Sequence, residues 1–186
     1  ELFSRGGMAP RVQAVTSYVK MPVAVAAVKS EVKTPSERTA YDIGDGRSVY
    51  LTPADGQMPE IGVYRYAHLH PDSMGVNSLY YKAVSEVFQI RPFSVQDGAS
   101  VNIEIPLTLE SGKQYQLYAC GLYEENKVWQ KVSELSTGSD GKYLLAQDIK
   151  LDRISDKMLA VLQNKPAVEA SLDGGCEGNE INVYDA

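Results

Sequence analysis

Ser85-Glu86-Val87-Phe88-Gln89-Ile90-Arg91-Pro92, followed beyond Asp97-Gly98 by Ser100-Val101-Asn102-Ile103-Glu104-Ile105-Pro106-Leu107, carries the clearest strand pattern in the chain. Val101, Ile103 and Ile105 alternate with polar residues, and a period of two sends successive side chains to opposite faces of an extended backbone. Val87, Phe88 and Ile90 form a second apolar strand, and Asp-Gly between two such runs is a turn signal. The two segments read as neighbouring strands.

The same grammar extends in both directions. Upstream, Ser48 to Thr52 and Ile61 to His70 are strand-like, separated by turn residues at Pro53, Asp55 and Gly56. Downstream, Tyr115, Leu117 and Ala119 alternate, Glu124 to Lys127 forms a polar tip, and Val128 to Val132 returns, which is a hairpin pattern. Gly138 to Gly141 turns the chain into Lys142 to Ala146, and Met158 to Leu162 is one more buried strand. The run Val23 to Val28 is also read as a strand. Helix is expected only as a turn or two within Asn77 to Phe88 and Ile149 to Met158, because neither has a cap and a long apolar stripe. The expected fold is therefore all-β, an antiparallel sandwich of immunoglobulin-like or ZU5-like character.

Four segments follow from these boundaries: a partly extended stretch over 1–39, a β-sandwich domain over 40–111, a hairpin-rich continuation or second small β subdomain over 112–165, and an acidic tail or last strand over 166–186. A larger sandwich spanning most of the chain is the alternative.

The 186 residues are 44% hydrophobic and 23% charged, near the globular average. A net charge of -6 argues against a nucleic-acid partner, which would call for clustered Lys and Arg. No apolar run reaches the roughly 20 residues of a membrane span. The first residue, Glu1, leaves room upstream for a signal peptide or a lipid-anchored cysteine. Cys120 and Cys176 fit no zinc or redox spacing; they pair in a disulfide, or Cys120 is a small buried hydrophobe.

Catalytic constellations are missing. No Gly-x-Ser-x-Gly elbow is present, Cys120 lacks a polarising neighbourhood, and no pair of carboxylates is singled out. The catalytic set is therefore empty. His68 and His70, the only histidines, would share a face of a strand and could ligate zinc, with Asp72, Glu86 or Cys120 as further ligands. The acidic loops Asp42 to Gly46 and Asp173 to Glu177 have the oxygen chemistry of calcium sites but not the spacing. No cofactor is expected ahead of these zinc and calcium readings. Twelve tyrosines against three phenylalanines make an aromatic bias, and Tyr64, Tyr66, Tyr80 and Tyr81 form a candidate ligand platform, with cross-strand packing as the alternative.

The succession Ser85 to Pro92, Ser100 to Pro106, Tyr115 to Tyr118, Val128 to Val132 and Asp140 to Leu144 resembles the ZU5-like β-sandwich with its following UPA-like segment, found in exported bacterial proteins of the Bacteroidetes type. The resemblance covers about residues 40 to 165. It implies recognition or structural work and transfers no site residue. The expectation for function is an extracytoplasmic module, secreted, lipoprotein-anchored or at the cell surface, serving adhesion, ligand recognition or scaffolding toward a protein or glycan. The alternative is a small metal-dependent hydrolase-like enzyme centred on His68 and His70.

Overall fold

The computed structural model describes residue 27 and residues 29–94, 97–121 and 129–164. Among them run β1 (Lys29–Lys33), β2 (Thr39–Gly44), β3 (Arg47–Asp55), β4 (Ile61–Tyr66), β5 (Tyr81–Ala83), β6 (Val87–Pro92), β7 (Ser100–Ile105), β8 (Tyr115–Gly121), β9 (Trp129–Thr137), β10 (Leu144–Lys150) and β11 (Lys157–Asn164). One helical turn, α1 (Leu151–Ile154), joins β10 to β11, and short 3-10 turns lie at Pro71–Met74 and Ser139–Gly141. The expected strand Val23 to Val28, the tip Glu124 to Lys127 and the tail 166–186 lie outside the described residues.

The protein is mainly β and antiparallel, as the alternation requires. Its strands form one sheet in the order β1-β4-β6-β11-β8-β9-β10-β7-β3-β2, with β5 beside β11. β9 turns the corner: Trp129 to Leu135 pair with β8, and Ser136 and Thr137 pair with β10. The two halves of the sheet thus fold over one another, and β1 comes back beside β2 to leave a nearly closed, barrel-like shape.

Inside lies the main core. Ile61 and Val63 of β4, Phe88 and Ile90 of β6, and Leu159 and Val161 of β11 meet Val49, Leu51, Val101, Ile103 and Leu144 from the facing strands. Burying each such side chain favours folding by about 1.5 to 3 kcal/mol before conformational entropy is set against it. β6 and β7 are consequently not neighbours, which corrects the sequence expectation. β6 pairs with β4 and β11, whereas β7 pairs with β10 and β3. Both alternate correctly, but a period of two states which face is buried and not which strand lies alongside.

β8 and β11 are buried on both faces. Their outward side chains, Tyr118, Cys120, Met158, Ala160 and Leu162, form a second cluster with Val87, Trp129, Tyr81 and the overlying Leu69, Met74 and Val76. The chain from Tyr66 to Ala83 covers this face. Trp129 Nε1 donates to the Met74 carbonyl at 2.7 Å and pins it there. The cover is not helical as expected near Asn77; the Asn77 carbonyl instead accepts from the amides of Tyr80 and Tyr81 and turns the chain into β5.

The exposed side of β3, β7 and β10 carries a polar clasp. Arg38, just before β2, donates from Nε to Glu104 Oε1 at 2.6 Å and stacks its guanidinium 3.6 Å from the Tyr50 ring centroid. Ser139 donates to the other Glu104 oxygen from both its amide and its hydroxyl. Burial pushes the Glu104 carboxyl up, but the hydrogen bonds from Arg38 and Ser139 outweigh it and hold the group below its ordinary value.

Trp129→Phe keeps the apolar bulk but leaves the Met74 carbonyl without its donor, so urea denaturation should show a loss of about 1 to 3 kcal/mol; an unchanged midpoint and slope would show that the pin contributes nothing. Glu104 is more acidic folded than unfolded, so its stabilisation is present above the ordinary glutamate value and is lost as pH falls through the folded one. Thermal melts between pH 7 and pH 3 should therefore fall more steeply for the parent than for Glu104→Gln, and parallel curves would contradict the clasp.

Candidate functional site

β4 continues its inward alternation Ile61, Val63 with Arg65, so one guanidinium is carried to the end of the apolar interior. Only 15% of that side chain is exposed. A buried cation needs partners, and three segments supply them. Arg65 Nε and Nη2 donate to the Glu86 carboxylate at 2.9 and 3.4 Å. Nη1 donates to the Ile43 carbonyl at 3.0 Å and lies 3.1 Å from Asp45 Oδ2. Its hydrogen bond to Glu86, reinforced by the charges of Glu86 and Asp45, raises the already high guanidinium value, with burial opposing.

Asp45 reaches Arg65 because β2 and β3 are joined by the tight turn Asp45-Gly46, both residues having positive φ, 59° and 72°. Two positive φ angles mark the primed hairpin turn for which Asp-Gly is suited. Gly44 before it stands at φ +90°, and a Cβ there would sit 3.1 Å from Arg65 Nη1. Glu86 is placed by a break between β5 and β6. The Val84 amide donates to the Val161 carbonyl at 3.0 Å, and the Val161 amide then donates to the Ser85 hydroxyl at 2.8 Å instead of to a backbone carbonyl. The strand bulges at this point, and Glu86 turns toward Arg65.

Between the bulge, the β2 to β3 turn and the end of β7 opens a cavity of about 390 Å3. Val49, Val63, Val84, Phe88, Ile105 and Leu107 give it apolar walls, while Arg47, Arg65, Glu86 and His70 stand around it. Its charges answer one another: Arg65 pairs with Glu86 and Asp45, and Arg47 lies 3.9 Å from Asp45. The site can seat an apolar group of small-molecule size at the barrel mouth.

The histidines are placed differently from the sequence expectation. β4 ends at Tyr66, and Ala67 and His68 form a turn whose Leu69 amide donates to the Tyr66 carbonyl at 3.0 Å. His68 and His70 therefore do not share a strand face. His70 instead stands before the 3-10 turn, its Nδ1 accepting from the Asp72 amide at 3.2 Å, and it borders the mouth. Among the described residues no three His, Cys, Asp or Glu side chains group as metal ligands. In the acidic loop, Asp42 accepts from the Gly44 amide at 2.7 Å and pairs with Lys29 at 3.5 Å, while Asp45 faces Arg65. Asp173 to Glu177 and Cys176 lie outside the described residues; Cys120 is buried on β8.

The four tyrosines separate into two environments. Tyr66, Tyr80 and Tyr81 gather at the second cluster; Tyr81 is 1% exposed, and its ring meets Tyr118 edge-on at 5.5 Å. Tyr66 donates to Gln89 Oε1 at 3.1 Å. Tyr64 lies over Gly62, where a Cβ would come within 2.7 Å of its ring. None of the four lines the mouth.

Arg65 is the residue that sequence reasoning missed, and Glu86, considered there only as a further zinc ligand, is its partner. The signal was available in the charge that interrupts the apolar face Ile61, Val63, Arg65. The fold and site together define a mainly β, antiparallel, barrel-like protein with an apolar mouth braced by an ion-pair network. No family model, curated protein or solved structure matches the chain.

Gly44→Ala should lower stability by about 1 to 2 kcal/mol, because φ is positive and the new methyl crowds Arg65. Gly46→Ala, with positive φ but nothing within 4 Å of its Cβ, reports the backbone cost alone. Equal losses in the two variants would show that Arg65 does not press on residue 44.

Proposed function

We propose that this chain is a non-catalytic recognition module, exported or displayed at the cell surface, that takes an apolar small molecule into the mouth of its barrel. In finer fold terms we take the two halves joined at β9 as a sandwich of the immunoglobulin-like or ZU5-like kind, and the extracytoplasmic setting rests on that resemblance. The observation that carries the binding reading is the pairing of apolar walls with charges satisfied inside the rim. A ligand's hydrocarbon can displace water there without stripping any ion of its partner. A sugar would need polar partners at the wall, so among the expected kinds of recognition the mouth favours apolar ligands over glycans.

The test is titration with an environment-sensitive naphthalene fluorophore and a panel of apolar small molecules, followed by thermal shift. Val84 lines the mouth and is only partly buried, so Val84→Trp should fill the cavity and weaken binding by about tenfold or more, equivalent to about 1.4 kcal/mol, with melting temperature retained. Undiminished binding in that variant would place the ligand elsewhere. Stoichiometric zinc in the purified protein, lost in His70→Ala, would instead favour the metal-dependent enzyme.

A further inference from the structure

Beyond Val84 and Leu107 the mouth has a neighbour. A second cavity, of about 150 Å3, is lined by those same two residues together with Lys82, Glu110, Tyr115 and Leu144. Val84 and Leu107 therefore form a partition with space on both sides of it. Both are partly buried and pack against the core rather than within it, so the partition is built of side chains at its edge.

The cations around the two spaces differ in one respect. Arg65 has Glu86 and Asp45, and Arg47 has Asp45 at 3.9 Å. Lys82 has no carboxylate within ion-pair distance among the described residues. Glu110, which borders the same small cavity, accepts from the Tyr115 hydroxyl at 3.3 Å. Lys82 thus places an ammonium with no anion of its own on a small cavity that shares two apolar walls with the mouth, which suits the head of an amphiphile.

We propose, building on the mouth as the binding site, that the ligand is a free single-chain alkyl carboxylate. Its hydrocarbon lies in the mouth against Val63, Phe88 and Ile105, its chain passes between Val84 and Leu107, and its carboxylate meets Lys82. The mouth supplies the hydrophobic part of the binding, and Lys82 selects the sign of the head group.

The experiment is isothermal titration of the full chain with dodecanoate, dodecanol and dodecyltrimethylammonium, each below its aggregation concentration, repeated with Lys82→Met, Lys82→Arg and Val84→Trp. Dodecanoate should bind about tenfold more tightly than the alcohol and the cation most weakly, as one charge-assisted contact implies. Lys82→Met should bring dodecanoate to the level of the alcohol, and Lys82→Arg should retain the preference. Lys82 is an exposed position on β5, so these changes leave the core intact. Equal affinity for the three heads, with Val84→Trp still weakening binding about tenfold or more, would overturn the role of Lys82 and leave the apolar mouth standing. Binding of none of the three would overturn both readings.

Discussion

The two central strands β8 and β11 are apolar on both faces, and the rest of the molecule follows from covering them. A strand with one buried face needs one layer over it. Tyr115, Leu117 and Ala119 find theirs in the facing half of the sheet, but Tyr118, Cys120, Met158, Ala160 and Leu162 point the other way and are equally buried. The chain between β4 and β5 meets this demand. Its 3-10 turn lays Met74 and Val76 on the outer face, and Trp129, fully buried, ties the Met74 carbonyl to β9.

That excursion also generates the mouth. Having crossed the outer face, the chain must rejoin the sheet beside β11, and it does so in two steps, β5 at Tyr81–Ala83 and β6 from Val87. The backbone ladder breaks after the Val84 amide bonds the Val161 carbonyl, which would leave the Val161 amide without a ladder partner, and the Ser85 hydroxyl takes that place. The resulting bulge parts the wall of the barrel and points Glu86 toward Arg65. The guanidinium then binds three separate pieces of chain, the bulge, β2 through Ile43 and the turn through Asp45. The opening is thereby held apart by an ionic brace with apolar walls beneath it.

Much of this was legible in the residues, and what was not has a physical reason. β3, β7 and β8 declare themselves by alternation and β11 by a short continuous apolar run, because both are local properties. The pairing of β6 with β4 and β11 is a long-range choice, and the Asp97-Gly98 signal lies between strands that belong to opposite halves of the sheet rather than to a hairpin. His68 and His70 look like a strand pair only if β4 is extended through Ala67, yet the Leu69 amide returns to Tyr66 and the strand stops. Tyr81 was visible as a platform residue and is spent on packing, because its neighbour Tyr118 lies on a strand some 40 residues away that local pattern cannot bring near it. Arg65 could have been singled out, since an ionisable group on an otherwise apolar face is either an error of register or a functional brace.

The last join of the barrel is made differently from all the others. β1 meets β2 without a ladder, through side chains: the buried Tyr41 hydroxyl donates to the Lys33 carbonyl at 2.9 Å, and Glu31 accepts from the Asp42 amide at 2.7 Å. Burial of Tyr41, with the nearby charge of Glu31, pushes its hydroxyl well up and keeps it a donor. β1 adds no side chain to either apolar cluster; its sequence Lys29-Ser30-Glu31-Val32-Lys33 alternates charges where other strands place valine or isoleucine. Charged side chains on an edge strand discourage pairing with another chain, and here they also supply the seam bonds. Closure of the sheet and protection of its edge are therefore one arrangement, and the seam is held by polar contacts while the interior behind it stays apolar and braced.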